Sequence, residues 1–199
     1  NQNCGKGIAE WICQYLKELE GASVRKPTVV KGIGEWRPPV VLYVKFNFDA
    51  TFNQSLNISS LGILVRDHRG EIIVSKTIIH KRVASPFTAE GLACLQALLL
   101  DIQLCFSSVT FEGDAKPVIK KCESNNSDRL EFFTIIYKIQ QLKRVFHSIS
   151  FRHVYRSASY LAHFLASGSL TSGHETYLLG GVLDFIADDR KKRRLREFD

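Results

Sequence analysis

Three carboxylates stand at the ends of what read as regular elements: Asp49 in "KFNFDATF", Glu90 in "FTAEGLA" and Asp114 in "TFEGDAK". The last stretch is a strand that stops on an acid, a glycine and a second acid, directly ahead of a lysine and a helix-like run. If a fold brings three such groups together, they repel one another unless cations sit between them. Clustered oxygens suit hard divalent ions, Mg²⁺ or Mn²⁺. Two such ions, roughly 4 Å apart, clamp the attacking water and the leaving oxygen of a phosphodiester. Taken singly, each acid has a plainer reading. Asp49 would be a solvated residue on the wet face of a strand, Glu90 a first-turn helix acid favoured by the dipole, and Asp114 a helix cap.

The elements that would have to position them follow from periodicity. "VLYVKFNFDATF" alternates, with Val44, Phe46, Phe48, Ala50 and Phe52 on one face and Lys45, Asn47, Asp49 and Thr51 on the other. "LGILVRD", the turn "DHRG" and "EIIVSKTIIH" add two strands, so the domain opens as an antiparallel three-strand meander. The period then changes. From Pro86 to about Phe106 the apolar residues follow a helix, with Pro86 in its first turn and Thr88 near the cap. "SSVTFEGD" is a fourth strand, "AKPVIKKCES" a short helix, "RLEFFTIIYKIQQLKRVF" a third helix, "SISFRHVYR" a fifth strand and "ASYLAHFLASGSL" a closing helix. Strands separated by a helix favour parallel pairing through a right-handed crossover. The expected architecture is α/β: a mixed five-stranded sheet, three antiparallel strands then parallel ones, with helices on both faces. Where the first and fourth strands of such a sheet are neighbours, Asp49 and Asp114 can stand side by side, and the helix start carrying Glu90 can pack beside them.

The chain has 199 residues, of which 45% are hydrophobic, enough for a real core. Its formal charge of +7 favours a polyanionic partner. The densest apolar run, "LACLQALLLDIQLCF", is broken by glutamine and aspartate, so no membrane span is expected. Cys4, Cys13, Cys94, Cys105 and Cys122 form no CxxC pair and read as buried or free thiols in a reducing compartment. The absence of methionine and the start at Asn1 predict a processed or partial chain. Three segments are expected: residues 1–35, an amphipathic helix and linker; 36–170, the main domain; and 171–199, an extension with a basic tail.

"WRPPVVLYVKFNFDATF", "GILVRDHRGEII", "TAEGLACLQALL", "VTFEGDAKPVIKKC" and "FRHVYRSASYLAHFLA" together resemble the ribonuclease H-like domain found in plants, in non-LTR retroelement reverse transcriptases and as stand-alone proteins. The resemblance covers roughly residues 36–168 and includes each core element in order. It implies a type-1 ribonuclease H fold and metal-dependent cleavage of the RNA strand of RNA·DNA hybrids, with two Mg²⁺ or Mn²⁺ ions. It assigns the motif acids to Asp49, Glu90 and Asp114 and a fourth position to His163, where ribonucleases H proper usually carry aspartate. Histidine is not a favoured Mg²⁺ ligand but can serve as a general base or help product leave. A second departure is Ser159, three residues after Arg156, where the family usually has asparagine.

A hybrid-binding surface needs phosphate contacts more than base contacts. The candidates are Lys45, Lys116, Lys120, Lys121, Arg152, His153 and Arg156. The run "RKKRRLR" is a further basic patch and suggests the nucleus; an organelle reached after removal of a transit peptide is the rival expectation. Trp36 and Phe52 read as core, with Trp36 touching the domain from the linker, and the apolar stripe of residues 5–20 suits packing on the domain or docking on another protein. Two alternatives to a working nuclease stay open: a weak or silent nucleic-acid-binding module, and a structural subunit of a larger, ribonucleoprotein assembly.

Overall fold

The computed structural model describes residues 36–124 and 133–181. The expected N-terminal helix, most of the break after Glu123 and the basic tail lie outside the described residues. Within them the strands are β1 (Val44–Asn53), β2 (Ile58–Arg66), β3 (Ile72–Lys81), β4 (Ser108–Gly113), β5 (Ser148–His153) and β6 (Tyr177–Leu179). The helices are α1 (Pro86–Leu104), α2 (Lys116–Glu123), α3 (Phe133–Lys143) and α4 (Arg156–Ser172). The sheet runs β5-β4-β1-β2-β3-β6. β1, β2 and β3 are antiparallel neighbours, and β4 lies parallel to both β1 and β5. The five expected strands and their pairing are therefore present. The sixth, β6, pairs antiparallel with β3 through Val74, Ser75 and Lys76. At three residues it is too short to show alternation, and it falls in the segment read as an extension.

The alternation of β1 sorts its side chains between two helical layers. Phe46 and Phe48 are fully buried, in a core shared with Leu98 of α1, Ile119 of α2 and Ile139 of α3. The opposite face was expected to be wet, but Asn47 and Asp49 are 1% and 0% exposed. The reason is α4. Its Leu165 packs with Leu64 and Ile72, and in the antiparallel register Leu64 faces Asn47 while Gly62 faces Asp49. A Cβ on Gly62 would lie 2.1 Å from the Ala162 carbonyl oxygen and 2.8 Å from the Ala166 nitrogen. Only a residue without a side chain lets the helix backbone come this close to the sheet.

α1 starts with Ser85 as its cap, whose hydroxyl accepts the Thr88 N–H at 3.1 Å, and with Pro86 in the first turn. Thr88 is thus the donor to the cap rather than the cap. No acid lies in the first turn, so Glu90 sits one residue beyond it, and its position is not explained by the helix dipole. α1 is long and apolar enough to cross a membrane by length and composition alone. Its Ala93, Cys94, Ala97 and Leu98 are instead fully buried in the core. Cys94, Cys105 and Cys122 are free thiols, as their spacing suggested.

Gly62→Ala should lower the unfolding free energy by about 1–3 kcal/mol, the usual cost of overpacking, because both nearest atoms are backbone. A urea midpoint unchanged from wild type would show that α4 is not held at this distance.

Candidate active site

The β1–β4 ladder sets the geometry. Its last paired residues are Asn47 and Glu112. Asp49 and Asp114 each lie two residues further along, so the same parallel register carries them to neighbouring positions. Glu90 arrives from α1, and its carboxylate accepts the Ala50 N–H. One ligand oxygen from each of Asp49, Glu90 and Asp114 lies within 4.8 Å of the other two. Asp49 Oδ1 and Glu90 Oε2 are buried with no hydrogen-bond partner. Buried carboxylate oxygens without donors are costly, and two of them on residues of one cluster of hard ligands fit a divalent cation. The residues 49, 90 and 114 singled out from the sequence are thus brought together. α2 is capped at Ala115 with no side-chain cap bond, so Asp114 is not its helix cap.

α4 closes the cluster from the other side. His163 Nδ1 lies 2.6 Å from Asp49 Oδ2. Its Nε2 lies 3.3 Å from Ser167 Oγ, which is 2.9 Å from Thr51 Oγ1. Arg156 Nη1 donates to Asp114 Oδ2 at 3.2 Å, and its Nη2 lies 3.0 Å from His163 Nε2. Ser159, at the position of the second family departure, is fully buried and donates to the Phe48 carbonyl at 3.4 Å, tying α4 to the strand next to Asp49. His153, taken from sequence as a phosphate contact, has Nε2 3.2 Å from the Asp114 carbonyl and so fixes the loop carrying that acid.

A layer of buried polar groups supports the acids. Lys45 was expected to reach a phosphate. Instead its Nζ pairs with Glu112 Oε1 at 2.7 Å and donates to the Arg37 carbonyl at 2.9 Å, with the side chain only 8% exposed. Glu112 Oε2 accepts from Asn47 Nδ2 and from Trp36 Nε1, each at 3.0 Å. Arg66 donates to Asn47 Oδ1 at 2.5 Å and lies 3.3 Å over the Trp36 ring. Trp36 does touch the domain, as a hydrogen-bonded clamp at the edge of this layer rather than as plain core. Glu112 was seen in the sequence only as the first acid of "TFEGDAK" and was given no role; same-face spacing with Asp114 was the signal available.

The electrostatics follow from burial and like charge. Burial first, then the charges of Asp49 and Asp114, push Glu90 up to about 9, against the pull of the Ala50 N–H. Burial and then Asp49 also raise Asp114, while Arg156 and His163 pull it back down. Of the other basic candidates, Lys116, Lys120 and Arg152 are exposed and Lys121 is half-buried. Among the expected phosphate contacts, the side chains of Arg156 and His153 reach Asp114, and the Lys116 backbone N–H donates to its carbonyl at 2.9 Å.

Residues 47–169, which include Asp49, Glu90, Asp114 and His163, match the family described as reverse transcriptase-like. The chain belongs to that family. No curated protein matches this reverse transcriptase-like chain. Among solved structures, ribonuclease H1 of Halobacterium salinarum is similar at 21% identity and a TM-score of 0.61, covering 65% of this chain and 98% of its own. The N-terminal ribonuclease H domain of a Mycobacterium tuberculosis protein, solved as a fusion with maltose-binding protein, is similar at 16% identity and a TM-score of 0.60, covering 65% and 94%. LC11-RNase H1, solved with an RNA/DNA hybrid, is similar at 14% identity and a TM-score of 0.58, covering 65% and 98%. The reverse transcriptase-like domain therefore has a ribonuclease H-like fold.

The raised Glu90 value sets a pH dependence. Its proton is retained in the folded state up to about 9 but in the unfolded chain is lost near the ordinary value of 4.5. The stabilisation is therefore complete below that lower value and drains away as pH rises towards the upper one. In chelator, the melting temperature should fall steadily from pH 5 to pH 9 by about the amount that this linkage gives, and Glu90→Gln should flatten the slope. Parallel slopes for the two proteins would remove Glu90 as the source.

Proposed function

We propose that this protein is a metal-dependent endonuclease of ribonuclease H type that cleaves the RNA strand of RNA·DNA hybrids. The observation that carries the proposal is the convergence of Asp49, Glu90 and Asp114 within 4.8 Å, with buried oxygens that lack donors. Two of the similar solved structures, LC11-RNase H1 and a foamy viral protease-reverse transcriptase, were determined in complex with an RNA/DNA hybrid. In this reading the three acids hold Mg²⁺ or Mn²⁺. A bound ion would stabilise charge on the phosphate oxygens and ease deprotonation of water.

The chain's own residues do the rest. Asp49 and Asp114, fixed by the strand register, orient the scissile phosphate relative to the site. Glu90, held by the Ala50 N–H, aligns the attacking water. His163 has a side chain 27% exposed, wet enough to pass a proton between the site and solvent while anchored to Asp49. Lys116, Lys120, Lys121 and Arg152 offer phosphate contacts for the hybrid backbone. Residues 5–20 would engage a protein partner, and the basic run near the end would direct the protein to the nucleus. The same reading makes the domain a plant retroelement-derived module.

Incubation with a labelled hybrid and Mn²⁺ tests the reading. Asp49→Asn and Asp114→Asn should each abolish cutting, at a loss of at least about 10³-fold, without lowering the melting temperature in chelator, since each relieves repulsion. His163→Ala should weaken cutting by about 10²-fold, within the range for a proton-transfer group. Cutting by Asp49→Asn at the wild-type rate would end the assignment of that residue. Tight hybrid binding with no cutting would replace the enzyme by a binding module.

A further inference from the structure

We propose that this centre takes one divalent cation, with Arg156 and His163 standing where a second would bind. The inference rests on the metal-dependent reading above and departs from the two ions that the family resemblance implies. It follows from which carboxylate oxygens already have partners. Asp49 Oδ1 and Glu90 Oε2 are buried and unpartnered. Asp49 Oδ2 and Asp114 Oδ2 are engaged, by His163 Nδ1 at 2.6 Å and by Arg156 Nη1 at 3.2 Å. The open oxygens and the occupied ones thus divide the cluster in two.

The engaged half is poorly suited to a cation. A carboxylate oxygen only accepts, so at 2.6 Å the Nδ1 of His163 carries the proton and presents no lone pair there. The other ring nitrogen faces Ser167 Oγ, and Arg156 Nη2 lies against the ring, 2.9 Å from Nδ1 and 3.0 Å from Nε2. Thr51 braces Ser167 from β1. The ring would have to break contacts on both sides to leave Asp49. Arg156 cannot lose its charge in the working pH range, so any ion bound against Asp114 Oδ2 would face a guanidinium a bond length from its ligand. Mg²⁺ and Mn²⁺ prefer oxygen ligands, and here two of the cluster's oxygens are spent on nitrogen donors. The open half offers the opposite: two buried oxygens from different elements that no donor among the described residues satisfies.

Counting bound Mn²⁺ tests this without reference to turnover. The full chain is titrated to saturation with Mn²⁺, free ion being read from its electron paramagnetic resonance signal, beside a double variant carrying His163→Asp and Arg156→Gln and with circular dichroism to check that both are folded. Wild type should saturate at one ion and the double variant at two. Two ions on wild type would overturn the inference while leaving metal-dependent cleavage intact. A single ion on the folded double variant would overturn the role given to His163 and Arg156. No Mn²⁺ on either protein would overturn both the inference and the metal-dependent reading, and the wild-type count needs no variant to fold.

Discussion

Everything at the centre of this molecule depends on holding three carboxylates closer together than they would choose. Within 4.8 Å, and largely out of water, their mutual repulsion is only weakly screened. The fold resists it by mounting each acid on a different rigid element. Asp49 rides on β1, and Asp114 follows directly on the end of parallel β4, in a register set by four residue pairs upstream. Glu90 rides on a helix capped by Ser85 and pinned by a core of alanine, cysteine and leucine. No one of these elements can retreat without giving up packing elsewhere.

The second device is the approach of α4. A helix laid on a sheet normally stands off by the thickness of its side chains. Here Gly62, Ala162 and Ala166 remove that thickness at one spot, and the backbone-to-backbone contact brings His163 and Ser159 down onto β1. The consequence is a polar strand face that is nonetheless dry. Charges on such a face must find partners. They do so in a continuous layer in which Glu112 collects Lys45, Asn47 and Trp36, and Arg66 spans from Asn47 to the Trp36 ring. The layer ends at the acids, so the support of the site and its chemistry share one surface of the sheet.

Much of this was legible. The alternation of β1 and its two neighbours, the change of period at Pro86 and the ordered set of motifs carried the fold, because each reports a local preference that tertiary packing reinforced. The trio of acids was legible because the family resemblance assigns its motif acids to them, and a sheet with strands one and four adjacent can bring them together. Lys45 was misread for a physical reason: alternation tells which residues share a face but not whether another element covers it. The same blindness made Asp49 look wet. Trp36, from a stretch that reads as linker, was legible as a contact but not as a hydrogen-bond donor to Glu112. β6 left no trace, since three residues that owe their conformation to the free edge of β3 have no pattern of their own.

By itself the sequence determined the elements, their order and the residue types that reach the site, because period, turns and caps are local properties of the chain. Tertiary structure alone decided which of those residues are dry and which oxygen of each acid is left open. Those outcomes hinge on a helix more than ninety residues downstream settling onto Gly62, and on the donors it delivers there.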